Sequence, residues 1–166
     1  MKTKFEEVCD AYERVQSDFK KFESECHSFA VELVKNFINY FQVPPSQFSL
    51  YKMDENGEFI LVRPAVINAI THAEDAYWHF GIGLTVSSNV ENFPQDLILI
   101  HIFIRKNSGD AFYARIALDP TEFFIEKNKP ATFIPFFDFI QKAVVKSYEE
   151  GFQKFIGHDT VRKIGY

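Results

Sequence analysis

A run of apolar residues near the N-terminus constrains this chain most: Phe5, Val8, Tyr12, Val15, Phe19, Phe22, Cys26, Phe29 and Leu33. Their spacing alternates three, four, three, four without a miss, which places them on one stripe of a single long helix. The pattern predicts a helix from Lys4 to Phe41, halted before Pro44 and Pro45. At the α-helical rise such a rod is roughly 55 Å long. A compact domain of 166 residues has a radius of gyration of about 15 Å, hence a diameter near ~40 Å. The rod therefore outruns the domain, and it must either break or find apolar cover on another chain. After Leu33 the series skips Asn36 and resumes at Phe37 and Phe41, a stutter that marks a bend or a local unwinding.

The rest of the chain reads as strands and one further helix. Ser49–Met53 and Glu58–Arg63 flank Asp54-Glu55-Asn56-Gly57, and Asn-Gly predicts a tight hairpin turn. With Asn56 and Gly57 as its central pair, Met53 faces Ile60 and Tyr51 faces Val62. The stretch from Pro64 to Ala73 is read as a short helix or an irregular link. Three strands follow at about Ala76–Val86, Leu97–Lys106 and Ala111–Leu118, each alternating apolar and polar positions as in an antiparallel sheet with one buried face. Asn107-Ser108-Gly109 fits a three-residue hairpin pairing Lys106 with Asp110. A sixth strand is placed near Phe123–Ile125.

A last helix is expected over Thr132–Ile156, capped by Thr132 and stopped by Gly157, with Phe133, Phe137, Ile140, Val144, Tyr148, Phe152 and Phe155 on its apolar face. The whole is an α+β two-layer sandwich in one domain over 1–166. The long helix covers 1–42, a five- to six-stranded antiparallel sheet 48–126, and the C-terminal helix 132–157; both helices pack on the isoleucine face.

Composition narrows the function classes. A net charge of -5 argues against a nucleic-acid partner, which wants a basic face. Cys9 and Cys26 sit seventeen residues apart on one helix, far beyond disulfide reach. Cys26 falls in the apolar stripe, as a small core residue does. Unpaired cysteines, no apolar leader at Met1–Glu7, and apolar runs of only about four residues beside His101 point to the cytoplasm and away from membranes. Gly81-Ile82-Gly83 lacks the third glycine of a dinucleotide fingerprint and lies within a strand, where it thins the sheet for close packing. His72, Glu74, Asp75 and His79 match no zinc spacing, so no metal and no cofactor are expected. His27 and His158 are read as isolated surface residues.

One surface carries the candidate chemistry. The face opposite the isoleucines would present Tyr77 and His79, then His101, Phe103 and Arg105, then Tyr113 and Arg115. In the Lys106–Asp110 register His101 stands opposite Arg115 and Phe103 opposite Tyr113, with His79 near Arg105. The candidate ligand-binding set is His79, His101, Arg105, Tyr113 and Arg115, an anion-binding or acid–base surface. No catalytic signature accompanies it. The preferred reading is a non-catalytic, acidic interaction protein, a homodimer that binds another protein. The alternative is a small-ligand or anion-binding protein, or a hydrolase, using that polar face.

Overall fold

The computed structural model describes residues 1–63, 65–88, 95–117, 119–151 and, as backbone, 161–164. Helix α1 spans Lys4–Phe41 and is α-helical at every residue, through the stutter. Thr3 caps it: its hydroxyl accepts from the Glu6 N–H while the Glu6 carboxylate accepts from the Thr3 N–H. The Thr3 N–H first, and then the Thr3 hydroxyl, hold the Glu6 carboxyl below its usual range. The helix ends at Gln42, left-handed at φ 51°, whose N–H donates to the Ile38 carbonyl.

The strands are β1 (Phe48–Met53), β2 (Phe59–Val62), β3 (Thr71–His72), β4 (Trp78–Ser87), β5 (Gln95–Lys106), β6 (Ala111–Ile116), β7 (Phe123–Glu126) and β8 (Val161–Ile164). A single helical turn, α2 (Val66–Ala69), links β2 to β3. The main path β2-β1-β4-β5-β6-β7 is antiparallel throughout. Two short strands extend it beyond expectation: β3 joins β4, and β8 runs parallel to Leu97–Ile100 of β5, beyond the reach of β6. Helix α3 (Ile134–Gly151) follows a 3₁₀ turn at Pro130–Phe133. The core is the isoleucine face (Ile98, Ile100, Ile102 and Ile104 with Phe80, Ile82, Phe112 and Ile125) covered by the inner half of α1 and by α3. Both helices lie on this one face of the sheet, as the periodicities require. Among the described residues no helix is long and apolar enough to cross a membrane.

Rings hold the layers together. Phe29 of α1 lies flat on Phe112 of β6, centroids 4.0 Å apart, and near Phe133 at 5.8 Å. Phe37 meets Phe137 of α3 edge-on at 5.6 Å. Cys26 is buried beside them, and burial raises its thiol to about 11, so it stays protonated.

Four local expectations need correction. Met53 pairs with Phe59 and Tyr51 with Leu61, one residue off the expected register. The turn is a three-residue loop in which Gly57 takes φ +79° and the Asp54 carboxylate accepts the N–H groups of Asn56 and Glu58. Lys106 pairs with Phe112 instead of Asp110, because Asn107 and Ala111 close the second hairpin around a left-handed Gly109. Thr132 does not cap α3; it lies inside the preceding turn, its hydroxyl bonded to Glu126 and Lys129. His27 is half-buried, not superficial, and stands edge-on to Trp78 at 5.2 Å. Leu118, Phe152, Phe155, Gly157 and His158 fall outside the described residues.

Candidate functional site

The polar face is built on two glycines. A Cβ at Gly83 would come within 2.5 Å of the Tyr51 ring, and one at Gly81 within 2.9 Å of the Phe59 ring. Bare backbone lets Tyr51 and Phe59, from the β1–β2 hairpin, lie down on β4. Phe59 thereby reaches the His101 ring edge-on at 4.9 Å. The one-residue register change is what turns Phe59 onto this face.

Beneath that roof two histidines meet. His79 of β4 pairs across the ladder with Phe103 of β5, and the diagonal brings its Nδ1 to 2.9 Å from His101 Nε2. Both are buried, 3% and 6% exposed. His79 Nε2 lies 2.9 Å from the Asp75 carboxylate. Asp75 is aimed there by a tight turn: Ala76 takes a left-handed φ of 66°, and Asp75 also accepts the Tyr77 N–H at 3.0 Å. An ionised Asp75 fixes the donor on His79 Nε2, so a neutral His79 offers Nδ1 to the N–H of His101. Burial above all, then the charges of His79 and Arg115, pushes His101 down to about 3; Asp75 opposes this. Partial burial works to raise the Asp75 carboxyl, but its bonds from His79 and Tyr77 outweigh that and hold it below its usual value. His101 is thus a neutral, sealed group.

Beyond Phe103 the face opens into a shallow cleft of about 600 Å³ lined by Tyr77, Arg105, Arg115, Asp119, Pro120 and Glu122. The two-residue shift in the β5–β6 register keeps every residue on its predicted face but changes its neighbours. Arg115 stands opposite Phe103, not His101, and Tyr113 opposite Arg105. Arg105 turns from His79 and forks onto Glu122, Nε to Oε1 at 2.8 Å and an η-nitrogen to Oε2 at 2.7 Å. That fork, with a further bond from the Tyr77 hydroxyl, holds the Glu122 carboxyl down at about 2 and raises the Arg105 guanidinium. Tyr113 carries the Arg105 guanidinium at 4.3 Å.

Arg115 differs. Its guanidinium lies over the Tyr77 ring at 4.7 Å and the Phe103 ring at 4.2 Å. Its hydrogen bond goes to the Asp119 carbonyl at 3.4 Å, and among the described residues no carboxylate comes within ion-pair distance. The predicted set therefore separates into a sealed histidine pair, an arginine already paired, and one arginine with charge to spare. Sequence reasoning missed Glu122, which follows β6 in an aperiodic loop, and the Phe59 roof. Asp75 stood only in the unassigned cluster with His72. His72 itself packs on Trp78 at 4.8 Å, and among the described residues no three His, Cys, Asp or Glu side chains are placed to share a metal ion.

A second surface lies on α1. No side chain is buried between Lys4 and Glu25, and Phe5, Val8, Tyr12, Val15 and Phe19 are 48–76% exposed. The predicted stripe is real, and among the described residues nothing buries its outer half.

Family models, curated proteins and solved structures gave no match to this chain. What the two surfaces can do thus rests on their own chemistry. The histidine pair is covered in this structure, at 3% and 6% exposure, whereas a general base works within ~3 Å of the proton it removes. The cleft can hold an anion, and the helix stripe can hold an apolar partner.

Proposed function

We propose that this is a non-catalytic, acidic interaction protein of the cytoplasm that works as a homodimer joined through the outer half of α1, leaving its remaining surface to bind a protein partner. One observation carries the reading: five large apolar side chains form an unbroken stripe that stays 48–76% exposed. A contiguous stripe of this kind marks a contact site on a soluble protein. A lone helical arm without tertiary packing is also marginal in water, so a partner is what keeps the arm helical. Isologous pairing is the commonest way such a surface is closed.

Light scattering on the full chain should return twice 19.3 kDa. The double variant Tyr12→Glu, Val15→Glu should weaken the dimer at least ~100-fold, because each buried, unpaired carboxylate costs several kcal/mol. Its body should keep the wild-type near-ultraviolet signature, since neither residue touches the core. A monomer mass for the wild type at high micromolar concentration would refute the reading.

Arg115 favours a second reading, an anion site in the Tyr77–Glu122 cleft. Its guanidinium is flanked by two rings, and among the described residues no carboxylate pairs with it. Phosphate or citrate should then raise the melting temperature of the wild type and leave that of Arg115→Ala unmoved. Equal shifts in both proteins, or none in either, count against it.

A further inference from the structure

We propose that the two α1 arms pair antiparallel, with Tyr12 of each against the partner's Val15 and the tip of each arm seated on the body of the other; this rests on the homodimer reading above. Over its exposed part the stripe alternates aromatic and smaller residues: Phe5, Tyr12 and Phe19 form one series, Val8 and Val15 the other, which Phe22 continues with a ring. Parallel pairing would stack like on like, giving ring-on-ring layers at 5, 12 and 19 and thin valine layers between them. Antiparallel pairing sets one series against the other. Val8 then meets the partner's Phe19, and Tyr12 the partner's Val15, so each of these layers holds one large and one small side chain.

The flanking charges choose the same direction. A parallel pair brings Asp18 beside the partner's Glu23, twice, with no cation opposite either. The antiparallel pair brings Lys4 beside the partner's Glu25 and the end bearing Lys2 beside the partner's Glu23. Glu25 already receives Lys106 in its own chain, which anchors it at the helix–body junction.

That junction holds the third observation. In this register Phe5 arrives at the partner's Phe22. Phe22 is the first stripe residue to pack against the core, and it borders a depression of about 360 Å³ with Asp18, Lys21, Glu25, Lys106 and Asn107. The depression can take an aromatic ring. The last exposed residue of one arm thus meets the first covered residue of the other, and the apolar stripe closes without remainder.

Cys9 is exposed and supplies a native probe. In the antiparallel pair it neighbours the partner's Gln16; in a parallel pair it neighbours the partner's Lys4. Within one chain both pairs of positions are too far apart along the helix to bridge. Oxidative cross-linking of the full-length Gln16→Cys protein should give a covalent dimer as the main species, and Lys4→Cys should not exceed the wild type. Cross-linking of Lys4→Cys, or of neither variant while light scattering still reports a dimer, overturns the antiparallel register and leaves the homodimer standing. A monomer by light scattering overturns both.

Discussion

Replacing Phe29 with alanine is expected to cost about 4 kcal/mol of stability, within the range measured for truncating a buried phenylalanine. The ring is fully buried and lies parallel to Phe112, with an interplanar angle of 2°, while Phe133 lies 5.8 Å away at 21°. It therefore joins three elements at once: α1, the β6 strand and the turn that launches α3. Its neighbours are themselves rings on separate elements, so they have little freedom to move into the space left behind, and the cavity persists. A native domain holds only about 5–15 kcal/mol in total, so the loss would be a large share. Urea unfolding at matched protein concentration measures it, with the midpoint falling at an unchanged slope. A loss below about 1.5 kcal/mol would mean that the helix and sheet close over the gap, and that this stack is not what binds the layers.

Acid is expected to weaken the fold well above the carboxylate range, through His101. The folded state keeps this imidazole neutral with its affinity for a proton lowered to about 3, whereas the unfolded chain takes up that proton near 6.5. Between those values the unfolded state binds more protons, so stability rises with pH. The contribution is complete above about 6.5 and drains away as pH falls toward 3. From pH 6.5 to about pH 5 the loss should approach ~2 kcal/mol, at 1.4 kcal/mol per unit. Asp75 and Glu122, both held below their ordinary values of 3.8 and 4.5, add to the decline only in stronger acid. Urea midpoints at pH 7, 6 and 5 should fall steeply for the wild type and much less for His101→Gln, which keeps a polar group toward His79 but does not titrate. Equal slopes in the two proteins would rule out His101 as the source.

How far the sequence speaks depends on the range of the interaction. Helix α1 was legible because its three-four spacing and its proline stop are local signals. The alternation of β4, β5 and β6 likewise assigned every residue to a face. Pairing is less local. In the first hairpin a three-residue loop with Gly57 left-handed replaces the expected two-residue turn, in the second the expected three-residue loop around Gly109 sits one residue further on, and each change slides the strands. The second slide is even and only exchanges neighbours, moving Arg115 from His101 to Phe103. The first is odd and carries Phe59 to the opposite face, which is why the expected half-wet surface is covered over the histidines. Glu122 reaches Arg105 from an irregular loop, and Asp75 reaches His79 through the positive φ of Ala76; neither has a periodic signature. The parallel strand β8 is four residues long, too brief for alternation to register.

The missing side chains at Gly81 and Gly83 reach further than local packing. Where β4 has only hydrogen atoms to offer, the aromatic flap of the neighbouring hairpin settles to backbone contact and keeps water from the His101 imidazole, which in the unfolded chain takes up its proton near 6.5. The acid sensitivity of the sheet is therefore written, in part, in two positions that carry no ionisable atom.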